Sequence, residues 1–424
     1  MARMADRGRS ASEDHGVSAV RDAGALGELL EQRLEQRRES GRHLFAARAE
    51  EIARLCHRMA ERFARGGRLI AFGLSPAARS DVRHVAVEFV HPVIVGKRAL
   101  PALGVTGEGG RVTDELRLLA EPEDIVIAFG EQGEGPELSS GIAAARDRGC
   151  LTIAFSALGA EWELEPASGD PYVRQELVET LYHVLWELVH VFFEHRGLLE
   201  GRTEQRAHDA GASSFLYPFL AEREHDLDGV LADVRASVLM KADEVAELRA
   251  RTLRDNAASL GHAAAVLRSV MHGGGRLLAL GNGGSATDAM DVVADFMNPP
   301  AGSDWRAHPA LDLTADNAIL TAIANDIGPE AIFARQVIAY GRAQDALLAI
   351  STSGNSLSVL EALAQARRRG LATLALVGYD GGRVLAERLA DQVVVTPSQH
   401  IPRIQEAQAT AYHVLRELVE PPPP

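Results

Sequence analysis

The chain has 424 residues, 46% of them apolar, and a formal net charge of −15. That length accommodates two or three domains with buried cores, and the negative balance argues against general nucleic-acid or anionic-membrane binding while leaving a local anion site open. No apolar run approaches membrane-spanning length, and the two cysteines, Cys56 and Cys150, make no disulfide framework, which fits a reducing cytoplasm.

Residues 1–25 begin with an Arg-, Ser- and Asp-rich stretch without the apolar segment of a secretory signal, and read as a disordered tail. From 26 to 65 apolar residues such as Leu30, Leu34, Leu44, Ile52, Leu55, Met59 and Phe63 recur at helical spacing; Gly66-Gly67 stops the pattern and residues 68–73 read as a buried strand. The same succession returns later: a helical region to Met271, glycines at 273–275, then a strand over 276–281. The strand-like run 123–129 parallels 344–350, and 144–149 parallels 365–370. Most telling, Gln175-Glu176 followed by Tyr182-His183-Val184-Leu185 parallels Gln405-Glu406 followed by Tyr412-His413-Val414-Leu415. The chain is an internal repeat of two units, 26–200 and 229–420, with 201–228 as linker. The aromatic stretch 215–220 is too apolar for a free linker and is expected to dock on one unit. Pro421 to Pro424 cannot continue the last helix.

Two turns in the second unit carry the chemistry. Gly281-Asn282-Gly283-Gly284-Ser285 and Ser351-Thr352-Ser353-Gly354-Asn355-Ser356 each follow a short apolar run and precede a helical pattern. Glycines admit a close ligand, helix-start N–H groups point at it, and hydroxyls add neutral donors. Without a P-loop lysine or a G-x-G-x-x-G, two such turns favour a phosphate monoester over a nucleotide.

With the runs GNGGSATDAM, TADNAILTAIAND (314–326), ISTSGNS and RIQEAQATAYHVL (403–415), the second unit resembles a sugar isomerase (SIS) domain, and within that family the phosphoheptose isomerases. The resemblance implies a tandem pair of α/β domains, each a doubly wound parallel sheet flanked by helices. It also implies active sites between subunits of a tetramer, which two tandem chains would rebuild as a homodimer. Substrate-binding positions carried over are Asn282, Gly283, Ser285, Asn325, Asp326, Ser351, Thr352, Ser353, Ser356 and Gln405.

The halves differ in what they keep. Opposite Ser351, Thr352, Ser353 and Ser356 the first unit has Gly130, Glu131, Gln132 and Gly135, with Glu134 opposite Asn355. Carboxylates beside a phosphate would cost on the order of 1–4 kcal/mol at intermediate dielectric. At the other turn Pro76 removes a donor, so the first unit is expected not to bind phosphate there, even with Arg79 and Arg83 nearby. Conversely His84 and Glu88, at the i, i+4 spacing that puts both on one helix face, match the family, whereas the second unit has Asp291 and Asp295. The family's arginine one turn beyond its Glu is Pro299 in the second unit, with Lys97 or Arg98 as substitutes in the first.

These complementary losses lead to a composite site: phosphate turns, Gln405 and His413 from the second unit, His84 and Glu88 from the first. The implied reaction is aldose–ketose isomerisation of sedoheptulose 7-phosphate to D-glycero-D-manno-heptose 7-phosphate, with Glu88 as base and His413 as acid. The resemblance also implies a zinc ion on His84, Glu88, Gln405 and His413. His183, on an otherwise apolar helix, is expected to be a satisfied core residue. A non-catalytic phosphosugar-binding or scaffold protein, and an isomerase of another phosphosugar, are the alternatives.

Overall fold

The computed structural model describes residues 7–94, 97–130, 132–195, 198–199 and 226–420. Most of the expected linker, with its aromatic stretch 215–220, lies outside the described residues, as do Glu131, residues 1–6 of the expected tail and the terminal prolines. The remainder of that tail falls on the first turns of helix α1 (Arg7–Ala64).

After α1 come β1 (Leu69–Phe72), α2 (Pro76–Val90), β2 (Ala102–Val105), α3 (Val112–Leu119), β3 (Ile125–Ala128), α4 (Pro136–Asp147), β4 (Leu151–Ala154), β5 (Trp162–Glu163) and α5 (Pro171–Glu194). The second half runs α6 (Leu227–Asp255), α7 (Ala257–His272), β6 (Leu277–Leu280), α8 (Gly284–Met297), β7 (Ala310–Asp312) and α9 (Asn317–Asp326). It continues with α10 (Ile332–Tyr340), β8 (Ala346–Ser351), α11 (Leu357–Arg368), β9 (Ala372–Gly378), α12 (Gly382–Ala386), β10 (Gln392–Thr396) and α13 (Ile401–Val419). Each half holds a five-stranded sheet, ordered β2-β1-β3-β4-β5 and β7-β6-β8-β9-β10, with every pairing parallel. The central strands β1, β3, β4, β6 and β8 are buried along their whole length, which is why they read as unbroken apolar runs. Both turns of interest leave the C-terminal ends of their strands, where open parallel sheets bind ligands.

The cores do not divide neatly between halves. Leu30 and Leu34 of α1 pack into the second half's core with Leu253, Leu260 and Leu267. Val230, Leu231, Val234 and Val238 of α6 pack into the first half's core with Leu44, Ile52 and Leu177. At 29 residues α6 is about 44 Å long, too long for one sheet to cover. Among the described residues no helix is long and apolar enough to cross a membrane.

Between the sheets, α2 packs on α8 and α5 on α13. From residue 402 to 416 every residue of α13 is buried, as expected of a helix enclosed on all sides. Helices α5 and α13 run antiparallel: His183 meets Glu406 and His413 meets Glu176. This crossing decides the composition of the site.

Candidate active site

The two turns of the second half are joined by Asn282, whose Nδ2 donates to Ser356 Oγ at 2.8 Å and Ser358 Oγ at 3.0 Å. Within the second turn Gly354 N donates to Ser351 Oγ and Asn355 N to Ser353 Oγ, both at 3.2 Å. Gly281 has no room for a side chain, since a Cβ would lie 2.1 Å from the Ser285 carbonyl. Gly284, at the start of α8, is more constrained still: a Cβ there would lie 1.8 Å from Gln405 Nε2 and 2.8 Å from His84 Nε2. The first unit's imidazole therefore stands at the edge of the second unit's phosphate-type turn.

Around that point His84 Nε2 lies 3.2 Å from Gln405 Nε2, 3.4 Å from His183 Nε2 and 3.8 Å from Glu88 Oε1. The rings are anchored from behind: His84 Nδ1 is 3.0 Å from the Tyr182 hydroxyl, and His183 Nδ1 donates to Glu406 Oε1 at 2.9 Å. Burial works against an ionised Glu406, but Arg403 and His183 hold it down at about 2, so it can only accept. With Nδ1 as the donor, the neutral ring of His183 would turn its Nε2 lone pair to the site. Burial, helped by His183, keeps His84 neutral, its pKa well below the ordinary histidine value. Burial also pushes the Glu88 carboxyl up to about 7, with Glu187 and Glu406 adding to the rise against His183. Glu88 Oε2 and Gln405 Oε1 are buried without a hydrogen-bond partner.

The expected grouping needs one correction. His413 does not join His84 and Glu88: its Nδ1 bonds Glu176 Oε1 at 3.0 Å and its Nε2 lies 3.5 Å from Asp295 Oδ2. Because α5 and α13 cross antiparallel, the glutamine end of each helix meets the histidine end of the other, so Gln405 comes with His183 rather than with its own His413. The related cluster holds Asp291 where the first holds His84. Asp291 bonds the Ser80 and Tyr412 hydroxyls, the latter at 3.1 Å, just as His84 bonds Tyr182. Burial opposes protonation of His413, but Glu176 and Asp295 hold its pKa above the ordinary histidine value, which makes this second cluster an ionic clasp between halves.

Other sequence candidates fall as follows. Asn325 and Asp326 lie exposed at the end of α9, bonded to each other at 2.7 Å, and no hydrogen bond ties them to the His84 cluster. Thr352 is half-buried in the second turn. In the first half Ser75 caps α2 by accepting from Ala78 N at 3.3 Å, and the Glu134 carboxylate folds against Gly130 so closely that a Cβ there would meet it at 2.8 Å. Arg83 is engaged with Glu108 at 2.8 Å, and Arg98 stacks 4.9 Å over the Phe193 ring. Sequence reasoning missed Glu179 entirely. It is buried on α5 one turn before His183, and its carboxylate, His84 and His183 have ligand atoms all within 4.8 Å of one another. The one available signal was a contrast in the repeat, where its counterpart is Ala409.

These residues fit a divalent cation. Two imidazole nitrogens face each other, their other nitrogens are held by a hydroxyl and a carboxylate, and two buried oxygens, on Gln405 and Glu88, lack partners. Outer hydrogen bonds of that kind are how proteins orient metal-binding histidines.

Residues 242–378 match the family model described as SIS domain. Phosphoheptose isomerase of Pelodictyon phaeoclathratiforme is 45% identical over 177 residues, 41% of this chain and 83% of that protein. Phosphoheptose isomerase of Geobacter sulfurreducens is 42% identical over 194 residues, 46% of this chain and 97% of that protein. Across both halves, the C-terminal domain of glucosamine-fructose-6-phosphate aminotransferase from Francisella tularensis superposes with a TM-score of 0.56, covering 92% of this chain and 94% of that one. At 9% identity that likeness concerns the fold alone.

Proposed function

The chain belongs to the phosphoheptose isomerase family of SIS-domain proteins, and on that premise we propose that it is an aldose–ketose isomerase of a phosphosugar, with sedoheptulose 7-phosphate as substrate and one working site built by both halves. The observation that carries the composite site is the contact of His84 with Gln405 at the edge of the 281–285 turn. Phosphate would be held by the hydroxyls and N–H groups of the turns 281–285 and 351–356, fixing the sugar so that its remote end reaches the His84 cluster.

Isomerisation moves one hydrogen from C1 to C2 of the ketose and one hydroxyl proton from O1 to O2. Glu88 is the proposed base: it takes the C1 proton to form an enediol and returns it to C2, with a pKa near 7 suited to both halves of the task. His183, with its free Nε2 lone pair, takes the place at the oxygens that resemblance had given to His413, and carries the hydroxyl proton between them. Zinc or a similar cation held by His84, His183, Gln405 and Glu88 would instead supply Lewis-acid polarisation of the substrate carbonyl, in place of the proton transfer given to His183 Nε2 and at the expense of Glu88 as base. The expected pairing of two copies remains part of the proposal. It is supported by α9, in which no residue is fully buried: Ile319 and Ile323 stay half-buried, and Leu320 packs only in part on the second half's core.

The test is NMR of the full chain incubated with sedoheptulose 7-phosphate, with and without added zinc. Appearance of the aldose 7-phosphate is expected. No conversion in either condition, with ligand binding retained, would leave a non-catalytic phosphosugar binder.

A further inference from the structure

We propose that Glu179 is an additional ligand to the cation at the His84–His183 cluster, a donor outside the set that resemblance to the family implies. The inference rests on the cation reading above and extends it. Glu179 is 4% exposed, yet its Oε1 has no hydrogen-bond partner. Its carboxylate oxygen, His84 Nε2 and His183 Nε2 converge from two helices, α5 and α2.

The surroundings of Glu179 are acidic. Burial first, and then Asp288, Glu406 and Asp81, disfavour its ionised form in the absence of a cation, and Arg249 opposes them. Arg249 is already committed: its Nη2 donates to the Glu176 carbonyl and Thr180 Oγ1, both at 3.1 Å, and its Nε to the Glu406 carbonyl at 3.4 Å. Glu179 Oε1, beside the imidazoles of His84 and His183, meets no hydrogen-bond donor. A metal ion satisfies all three groups at once. The crossing of α5 and α13 places Glu179 near the centre of the interface, and the repeat sharpens the contrast. The counterpart of Glu179 is Ala409, on the side where His413 is instead taken up by Glu176 and Asp295. A residue that merely filled space would not need to be charged on one side and a methyl on the other.

The experiment strips the full chain of metal and titrates it with Zn²⁺ in competition with a chromophoric chelator, for the parent, Glu179→Gln, Glu179→Ala and His84→Ala. At least a tenfold loss of Zn²⁺ affinity is expected in both Glu179 variants. Their metal-free forms should melt no lower than the metal-free parent, because a buried carboxyl crowded by acidic neighbours has been removed. Co²⁺ substitution gives a second readout, since loss of a ligand changes the visible absorption of the bound ion. If both Glu179 variants hold Zn²⁺ as tightly as the parent and the Co²⁺ spectrum is unchanged, the assignment of Glu179 is overturned while the cation reading stands. If the parent itself takes up no Zn²⁺, both fall together.

Discussion

Replacing Gly284 by alanine tests the contact on which the composite site depends. The added methyl would sit 1.8 Å from Gln405 Nε2, 3.1 Å from its Cδ and 2.8 Å from His84 Nε2. Comfortable contacts begin near 3.5 Å, so the Gln405 amide must retreat by roughly 1.5–2 Å and the imidazole by somewhat less. Neither has solvent to move into, since Gln405 is 2% and His84 3% exposed. Overpacking of this kind costs about 1–3 kcal/mol in stability. Misplacing a reacting group by about 1 Å can lower the rate by around 10²-fold, so kcat/KM is expected to fall about 100-fold or more. The assay is the isomerisation rate followed by NMR beside a thermal melt, with Gly169→Ala as control because a Cβ at Gly169 meets nothing. A folded Gly284→Ala protein that turns over within about threefold of the parent would refute the reasoning, because Gln405 and His84 could not then act where that methyl points.

Four further outcomes are expected. Glu88→Gln should lower kcat by about 10²–10⁴-fold while phosphosugar affinity measured by calorimetry stays nearly unchanged; full activity would remove Glu88 from the mechanism. The double variant Ser353→Ala with Ser356→Ala should weaken phosphosugar binding by about ten- to a hundredfold, and Glu134→Ala should do little, so equal effects would contradict a single live set of turns. His183→Asn should abolish turnover, whereas His413→Asn should keep it and lower the melting temperature; the reverse pattern would restore the role first expected of His413. Asp295, pushed up to about 7 by burial despite the attraction of His413 and Arg416, is disfavoured in its ionised form in the folded chain. Its raised pKa means stability is greatest below the ordinary aspartate value and falls as pH climbs toward 7, by up to ~4 kcal/mol. Asp295→Asn should therefore raise the melting temperature more at about pH 8 than at about pH 5, and a larger gain at the lower pH would reverse the sign.

Much of the architecture is readable without coordinates. The buried strands are short apolar runs because parallel strands are enclosed on both faces, and the repeat in the order of strands, turns and helices discloses two sheets of one topology. The pairing of His84 with Glu88 follows from their spacing on one helix. What spacing cannot supply is the partner. Gln405 and His413 lie eight residues apart on one face of α13, and nothing in their order says that the helix packs antiparallel against its own repeat, which sends the two side chains to opposite clusters. Glu179 was invisible for a related reason: a glutamate in an apolar helix pattern reads as a solvated position until burial shows otherwise.

The amino-acid sequence by itself determined the two α/β units, the polar turns and the unequal losses between the halves, because periodicity, turn chemistry and residue identity are local properties of a chain. Only the tertiary structure decided which histidine faces which glutamine and where Glu179 points. Those are properties of how two helices cross, set by the packing of side chains far apart in sequence.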